Sequence, residues 1–262
     1  MQKPWNSNLI AMNQANEDEL RREIVRYGRW LYRLGYMPAT AGNLSVRLDQ
    51  ERILVTPTGV SKHQMRRSDL IIVDMDGRQL DGARKPTSEL GMHLTFYQQR
   101  TDVLAVIHSH PPLATAFACA GRALDELLCQ EAAMILGPVP VARYATTGTE
   151  EVAESLRPLI SAHDAVLLAN HGAVTCGANL FDAFCKMETL EHVAQIRLAA
   201  EELGSFNTLE GEREEHLRQA RMRYLANAAA GGAANGYLRV VGDCRSVGSQ
   251  ESWEEERPKL LS

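Results

Sequence analysis

Short apolar runs alternate with longer amphipathic stretches along most of this 262-residue chain, and this alternation limits the possible folds more than any other feature. Short apolar runs bounded by turn residues predict strands, and apolar residues spaced three or four apart predict helices. Some predicted strands are joined by short polar turns, whereas others flank helices. The pattern therefore indicates a mixed sheet with helices packed on it. No internal repeat and no Pro/Ser-rich linker divides the chain.

The predicted elements extend from residue 17 to residue 204. Helices are expected at 17–35 (ended by Gly35), Thr87–Gln99 (after Pro86), Leu113–Ala120, Thr149–Ser161 (capped by Thr149) and Leu180–Leu203 (stopped by Gly204). Strands are expected at Ser45–Leu48, Arg52–Thr56, Leu70–Asp74, Val103–His108, Pro138–Tyr144 and Ala165–Ala169.

Composition and charge exclude several classes of protein. Hydrophobic residues make up 45% of the chain, which is enough for a large core. The net charge is −5 and basic residues are scattered, so nucleic-acid binding is not expected as the main role. The short basic cluster Lys62–Arg67 is interpreted as a solvated loop, with attraction of an anion as the alternative. With no secretory signal and no apolar run near the roughly 20 residues of a membrane span, we expect a cytoplasmic protein without a membrane partner.

The cysteines show no paired spacing that would indicate a disulfide framework or a zinc-binding motif. Several lie in apolar stretches; the five are Cys119, Cys129, Cys176, Cys185 and Cys244. We expect small buried side chains in a reducing compartment.

Two histidines flank Ser109 at the end of an apolar run. If Val103–Ile107 is a strand, side chains alternate between its faces, so His108 and His110 project from the same side. Such a pair either binds a metal or makes hydrogen bonds in a core. A third histidine, His171, follows another apolar run, which gives the three nitrogens that a catalytic zinc site uses while leaving one position open.

Three short motifs place small polar side chains beside glycine or proline: Ala41–Ser45, Thr56–Gly59 and Lys85–Glu89. The third stands where a helix is expected to begin. Thr87 and Ser88 would present hydroxyls and free backbone N–H groups there, which suits a phosphate. Each motif alone fits ordinary turn and capping chemistry, but the three together beside a metal site favour a bound phosphate.

Glu89 follows these hydroxyls directly and precedes His93 by one helical turn, on the same face. A carboxylate at a helix start is a favourable dipole partner. Next to a metal and an anion it can also transfer protons. The two roles are compatible.

Read in order, the motifs resemble the pattern of the class II aldolase/adducin family, and within it the fuculose-phosphate aldolase branch. The residues are Gly42-Asn43, Thr58-Gly59, Thr87-Ser88-Glu89, His108-Ser109-His110 and Asn170-His171-Gly172. The resemblance covers about residues 17–204.

The resemblance implies a single three-layer α/β/α domain around a central, mostly antiparallel (mixed) sheet. It also implies a homotetramer with sites near subunit interfaces. Zinc would be held by His108, His110 and His171, with manganese or cobalt as alternatives. Glu89 would be the fourth ligand at rest and the acid/base once substrate displaces it. The phosphate cradle would consist of Asn43, Thr58, Gly59, Thr87 and Ser88.

The implied reaction is cleavage of a ketose 1-phosphate, resembling L-fuculose 1-phosphate, to dihydroxyacetone phosphate and an aldehyde through a metal-stabilised enediolate. The alternative is a metal-dependent decarboxylase of a keto sugar-acid phosphate or an aromatic carboxylate. A sugar-phosphate 4-epimerase would need acid/base residues that the sequence does not offer. A non-catalytic adducin-like interaction module would lack the metal histidines and carry a basic tail, whereas this chain keeps the histidines and has no such tail.

The chain departs from the branch pattern where a family tyrosine assists the leaving aldehyde. No tyrosine lies near Cys129-Gln130-Glu131, so Gln130 and Glu131 are candidate replacements. Tyr224 is the candidate for a second family tyrosine from the C-terminal region, with Tyr237 as the alternative.

The predicted organisation has three parts. Residues 1–16 form an N-terminal extension and residues 17–225 the catalytic domain. The segment 226–236 is low in complexity and Glu251–Arg257 is rich in charge. We therefore expect residues 226–262 to form a disordered tail, or one ordered only against a neighbouring subunit.

Overall fold

The computed structural model of the protein describes residues 17–204 and 206–229. In chain order the helices and strands are α1 (Glu17–Arg33), β1 (Asn43–Arg47), β2 (Arg52–Val55), β3 (Ile71–Asp74), β4 (Gln79–Asp81), α2 (Leu90–Gln99), β5 (Ala105–Ser109), α3 (Pro112–Cys119), α4 (Gln130–Ile135), β6 (Val141–Ala142), α5 (Glu150–Leu156), β7 (Ala165–Leu168), β8 (Gly172–Gly177), α6 (Leu180–Glu202) and α7 (Glu212–Ala229).

The strands form one sheet of eight in the order β4-β3-β2-β1-β5-β8-β7-β6. Every neighbouring pair is antiparallel except β6 and β7, which are parallel. The central register pairs Asn43 of β1 with His108 of β5, and His108 with Val174 of β8. The sheet is therefore mixed, as the sequence pattern indicated, and mostly antiparallel, as the resemblance implied.

Helices cover both faces of this sheet. Leu44 and Val46 of β1 and Ile107 of β5 belong to the core beneath α1, α3, α4 and α6. Val106 of β5 and Val174 of β8 belong to the core beneath α2 and α5. Because successive strand residues point to opposite faces, a strand covered on both sides is buried at every position. The expected three-layer α/β/α arrangement is confirmed.

Several predicted boundaries are wrong, for physical reasons. Helix α2 begins at Leu90 rather than Thr87, because the Thr87 N–H donates to the Thr56 carbonyl oxygen over 3.1 Å and is held outside the helix. The predicted cap Thr149 precedes α5, but its hydroxyl donates to the Thr146 carbonyl oxygen instead of capping the helix. The predicted strand 138–144 shortens to β6.

The sequence analysis missed β4, α4, β8 and α7. Strand β8 begins and ends with glycine, which lowers its intrinsic strand propensity. Pairing with β5 on one side and β7 on the other overrides that preference.

The interpretation of the basic residues needs two corrections. Lys62 is only 1% exposed, so it does not belong to a solvated loop. Four of the five arginines of α1 are not scattered in the fold but line one groove of about 490 Å³, together with two arginines from the segment between β2 and β3; the six are Arg22, Arg26, Arg29, Arg33, Arg66 and Arg67. Asp18 pairs with two of them, Arg22 and Arg67, and so reduces the positive charge of the groove.

The cysteines also differ from expectation. Cys176 is buried, whereas Cys119 is exposed and Cys129 and Cys185 are half-buried. Their thiols are free. Cys244 lies outside the described residues.

The chain divides into two units, Met1–Arg218 and Gln219–Ser262. The first contains the sheet and helices α1 to α6, and the second contributes the C-terminal part of α7 to the described structure. Helix α7 continues to Ala229, into the segment predicted as a tail. The predicted boundaries of the extension, domain and tail stay predictions, since residues 1–16 and 230–262 lie outside the described part. None of the described helices has the length and apolar character needed to cross a membrane.

Candidate functional site

Three imidazoles meet where β5 ends beside the hairpin of β7 and β8. His108 lies within β5 and is fully buried, His110 follows the end of the strand, and His171 lies in the hairpin turn. Their ring centroids are 4.6 to 5.1 Å apart. One nitrogen from each ring lies within 4.8 Å of the others, so the cluster could hold a metal ion.

The hairpin turn depends on the residues that flank His171. Asn170 adopts a left-handed backbone with φ of 57°, a conformation that Asn tolerates better than most residues. A Cβ atom on Gly172 would lie 2.6 Å from His110 Cδ2 and 2.7 Å from the Ser109 carbonyl oxygen. Only glycine therefore allows the turn to approach the end of β5 this closely.

A second glycine allows β1 to approach the same point. Gly42 has a φ of 72°, and a Cβ atom there would lie 2.7 Å from Met37 Cγ and 2.8 Å from the His108 carbonyl oxygen. The Gly42-Asn43 motif thus places the Asn43 side chain beside the histidines without a steric conflict.

His110 is held by its backbone and by the helix that follows it. Its N–H donates to the Tyr36 carbonyl oxygen over 2.8 Å. Helix α3 starts two residues later, and the buried carboxylate of Glu191 accepts the N–H groups of Leu113 and Ala114 over 2.9 and 2.8 Å. These bonds satisfy two of the unpaired donors of the first helical turn.

Glu89 brings a carboxylate to the imidazoles from the start of α2. Its Oε2 atom lies 3.3 Å from His108 Nε2, and its Oε1 atom lies 3.2 Å from His171 Nε2. The Asn43 amide donates to Oε2 over 2.8 Å. Oε1 is buried and accepts no hydrogen bond within the described structure.

The rings are neutral at pH 7. Burial, followed by the charges that His171 and His110 would carry, lowers the pKa of His108 well below its ordinary value. Burial is also the main cause of the lowered pKa values of His110 and His171. A metal binds the neutral imidazole, so these shifts favour ligation.

A hydrogen bond to the backbone directs one imidazole lone pair toward the carboxylate. His108 Nδ1–H donates to the Ala173 carbonyl oxygen over 2.9 Å, so in the neutral ring Nε2 carries the lone pair. That lone pair faces the Glu89 carboxylate, and His110 Nε2 is 3.1 Å away. Converging acceptors with an orphaned carboxylate oxygen fit a divalent cation, and a carbonyl that orients the ligating ring is typical of metal centres.

The remaining motif residues lie on two loops that are joined by backbone hydrogen bonds. Thr58 N–H donates to the Lys85 carbonyl oxygen over 3.1 Å, and Pro57 and Pro86 form an antiparallel bridge. Thr58 and Ser88 are not buried, and Gly59 has open space around its Cα. The expectation that Thr87 offers a free N–H is wrong, since that group donates to Thr56.

Residues 22–198 match the family model described as Class II Aldolase and Adducin N-terminal domain. The chain belongs to the class II aldolase and adducin family. An L-fuculose phosphate aldolase of Methanococcus maripaludis is 38% identical over 174 residues, 66% of this chain and 93% of that protein. A 3-oxo-tetronate 4-phosphate decarboxylase of Haemophilus influenzae is 36% identical over 212 residues, 78% of this chain and 94% of that protein.

The solved structures give the same assignment. An L-fuculose 1-phosphate aldolase matches with a TM-score of 0.73 at 34% identity, covering 77% of this chain and 95% of that chain. Aldolases and decarboxylases both break carbon–carbon bonds. This member of the class II aldolase family is therefore an enzyme of the lyase class.

Some predicted site residues do not join the cluster within this chain. Gln130 and Glu131 are exposed in the first turn of α4, and neither forms a described hydrogen bond with the histidines or Glu89. Tyr224 lies in α7 with its side chain outside the described part, and Tyr237 lies beyond α7, outside the described residues.

Lys62 is a site neighbour that the sequence analysis missed. Its ammonium donates to the carbonyl oxygens of Thr40, Ala41 and Val60 over 3.2 to 3.3 Å. It thereby connects the segment before Asn43 to the segment after Gly59. Burial lowers the pKa of Lys62 to about 8, and the negative charge of Glu89 opposes this shift. The basic cluster of the sequence was the available signal, but it did not reveal burial.

Proposed function

We propose that this enzyme is an aldolase that cleaves a ketose 1-phosphate, resembling L-fuculose 1-phosphate, to dihydroxyacetone phosphate and an aldehyde. The observation that carries the proposal is the position of Glu89. Its carboxylate contacts two imidazoles of the cluster, those of His108 and His171, and the residue itself directly follows Thr87 and Ser88. A proton-transfer group therefore lies between a candidate metal centre and a candidate phosphate site.

In the proposal, His108, His110 and His171 hold a divalent cation, with Glu89 as the fourth ligand at rest. Zinc suits an imidazole-rich donor set, and manganese or cobalt is the alternative. When bound, the cation supplies Lewis-acid stabilisation of the negative charge that develops on the substrate oxygens during carbon–carbon cleavage.

Glu89 is proposed as the acid/base. In cleavage it gives a proton to the substrate carbon that loses its bond, and in condensation it removes that proton. The Asn43 N–H bond to Oε2 holds one carboxylate oxygen, while Oε1 accepts no hydrogen bond in the described part of the chain and is the oxygen available for the proton.

The substrate phosphate is proposed to bind between the two joined loops, with the side chains of Thr58, Thr87 and Ser88, the backbone of Gly59 and the amide of Asn43. The open space around Gly59 supports this position. Binding the phosphate fixes the reacting carbon near Glu89, and such positioning can supply much of a rate enhancement.

Decarboxylation of a keto sugar-acid phosphate is the second candidate. Two observations favour it: the relative from Haemophilus influenzae, whose name is 3-oxo-tetronate 4-phosphate decarboxylase, and the absence of a tyrosine near Cys129. Loss of carbon dioxide from a 3-keto acid leaves the same kind of negative charge as aldol cleavage.

The two candidates are separated by their products. The metal-loaded protein is incubated with L-fuculose 1-phosphate and, separately, with 3-oxo-tetronate 4-phosphate. Dihydroxyacetone phosphate supports the aldolase, and released carbon dioxide supports the decarboxylase. No product from any ketose 1-phosphate would refute the aldolase proposal.

The role of Glu89 is tested by Glu89→Gln, which keeps the shape but removes the base. We expect retained metal, shown by elemental analysis, and turnover reduced by about 10³-fold, within the range of general acid–base catalysis. Glu51→Gln is the matched control, since Glu51 is exposed in the turn between β1 and β2 and has no proposed role in the reaction. Undiminished turnover of Glu89→Gln would contradict the acid/base role.

A homotetramer with sites near subunit interfaces is also proposed. Gln130 and Glu131 are exposed and form no described hydrogen bond with the cluster, so we propose that they assist the aldehyde part of the substrate in the site of another copy. Light scattering should then give about four times the 29.0 kDa chain mass. A monomer would refute this. We propose a cytoplasmic location because a charged sugar phosphate does not cross a membrane unaided, and cell fractionation tests it.

A further inference from the structure

Strand β1 has one apolar and one polar face, and both are buried. Leu44 and Val46 point into the core beneath α1, whereas Asn43, Ser45 and Arg47 lie on the other face. All three polar residues are at most 3% exposed. An alternating strand ordinarily turns its polar face to water, so this burial requires partners.

Helix α2 and Glu89, the residue that precedes it, supply the partners at matching intervals. Glu89, His93 and Tyr97 are spaced by four residues, a rise of about 6.0 Å along a helix. The polar residues of β1 are spaced by two, a rise of about 6.8 Å along a strand. Because the two spacings are similar, the polar residues of β1 lie opposite Glu89, His93 and Tyr97. His93 and Tyr97 are buried against the strand.

The hydrogen bonds form one continuous chain. Asn43 Nδ2 donates to Glu89 Oε2 over 2.8 Å, and Asn43 Oδ1 contacts His93 Nε2. His93 Nδ1 lies 2.6 Å from Ser45 Oγ, which lies 2.7 Å from the Tyr97 hydroxyl. The Tyr97 hydroxyl ends the chain.

The direction of each bond follows from the carboxylate. An ionised carboxylate only accepts, so the Asn43 NH₂ group faces Glu89 and Oδ1 faces His93. His93 must then donate from Nε2 and accept at Nδ1. Ser45 gives its single proton to Nδ1 and accepts the proton of Tyr97.

We propose that His93 is a positioning residue, which fixes the Asn43 amide and through it the orientation of the Glu89 carboxylate. The effect of His93 on turnover rests on the proposed acid/base role of Glu89, whereas its effect on the orientation of the Glu89 side chain does not. If His93 donated from Nδ1 instead, the Asn43 amide would rotate and present its oxygen to the carboxylate. One imidazole tautomer thus selects one orientation of the acid/base.

The surroundings keep this tautomer unchanged with pH. Burial, and next the charge that His108 would carry, lowers the pKa of His93 to about 3. Burial raises the pKa of Tyr97 above its ordinary value. Neither group gains or loses a proton at neutral pH, so the bond directions stay fixed.

The first test reads the tautomer directly. Long-range ¹H–¹⁵N spectra of histidine-labelled wild-type protein should show His93 with a protonated Nε2 and an unprotonated Nδ1. His93 is assigned by its absence in His93→Gln. A protonated Nδ1 would overturn the proposal, and this readout does not depend on any enzymatic activity.

The second test compares two amide replacements. A glutamine amide can occupy the place of Nε2 and keep the donor to Asn43, whereas an asparagine amide occupies the place of Nδ1 and loses that donor. We expect His93→Asn to lower kcat by about 10 to 100-fold, the usual range for residues that orient a ligating group, with unchanged metal content. His93→Gln should recover most of kcat.

Tyr97→Phe is the matched control, because it removes one hydroxyl of the same chain and leaves the donor to Asn43 in place. Its kcat should stay within about threefold of wild type, below the range expected for lost orientation. Equal losses in His93→Asn and His93→Gln would reduce His93 to a packing role and overturn the proposal.

A crystal structure of His93→Asn separates this proposal from the proposed function. A rotated Asn43 amide or Glu89 carboxylate supports the positioning role even if the wild-type enzyme cleaves no ketose phosphate. An unchanged orientation of both side chains overturns it even if the wild-type enzyme is an aldolase.

Discussion

Gly172→Ala is the smallest substitution that should disrupt the three-histidine cluster. The added Cβ atom would lie 2.6 Å from His110 Cδ2, 2.7 Å from the Ser109 carbonyl oxygen and 3.4 Å from His108 Cε1. Nonbonded carbon atoms prefer about 3.5 to 4.0 Å, so the His110 ring or the hairpin turn must move by about 1 Å. Backbone at Ser109 is held in β5, so the ring and the turn are the parts that yield.

This displacement is large enough to impair the functional site, but it is too small to unfold the domain. Site geometry has to be held within about 0.5 Å, so a movement of about 1 Å spoils the convergence of the three nitrogens. A misplacement of that size costs about 10²-fold in rate, or about 2.7 kcal/mol of transition-state stabilisation. Overpacking costs about 1–3 kcal/mol of unfolding free energy, which a domain of this size tolerates.

The assay measures bound metal, kcat/KM and urea unfolding on the same preparations. Gly91→Ala is the matched control, because Gly91 is exposed in α2 and its Cβ atom would meet nothing within 4 Å. That control should retain full activity and gain about 0.5–1 kcal/mol of stability. Wild-type activity and metal content in Gly172→Ala would refute the reasoning, since they would show that the histidines tolerate the displacement.

Three further outcomes follow from the same structure. His108→Ala should lose bound metal, measured by elemental analysis, because one of the three converging rings is removed; full occupancy would contradict its role as a ligand. Glu191→Ala should lower the free energy of unfolding in urea by about 1–3 kcal/mol, because two N–H groups in the first turn of α3 lose their acceptor. Burial raises the pKa of Asp164, but Lys186 and Arg100 override it and lower the pKa to about 2. The stabilisation from Asp164, about 2 kcal/mol, is therefore present above about pH 4 and is lost as the pH falls to about 2; an equal acid-induced loss in Asp164→Asn would contradict it.

The matched control for Glu191→Ala is His192→Ala, because His192 is the exposed neighbour of Glu191 on α6. Its unfolding free energy should stay within about 0.5 kcal/mol of the parent value, as for most surface substitutions. Equal losses in the two variants would show that the carboxylate does not stabilise α3.

The histidine cluster was predictable from the sequence because each ring lies next to an apolar run. Alternation along β5 places His108 and His110 on one side, and a histidine three residues after β7 lies at the same edge of the sheet. The position of Glu89 after the Thr87 and Ser88 hydroxyls suggested a proton-transfer group, but a place beside the histidines was implied only by the resemblance to a family. Its contact with Asn43 joins residues 46 positions apart, and no local pattern encodes such a pair.

Three of the four missed elements have a common cause. Strands β4 and β8 and helix α4 are short or carry glycine, so their local preferences are weak. Their structure comes from pairing and packing with distant segments, as when β8 fills the place between β5 and β7. Lys62 shows the same limit, because its burial depends on carbonyl groups from two separate loops.

The polar face of β1 is hard to explain by stability alone. Burying polar groups gains little even when every hydrogen bond is made, and apolar residues of similar shape are often at least as stable. The row formed by Asn43, Ser45, His93 and Tyr97 nevertheless runs between β1 and α2, where an apolar row would pack equally well. What an apolar row cannot supply is a fixed direction for a hydrogen bond. Because the chain of bonds ends on Glu89, its physical consequence is the orientation of that one carboxylate.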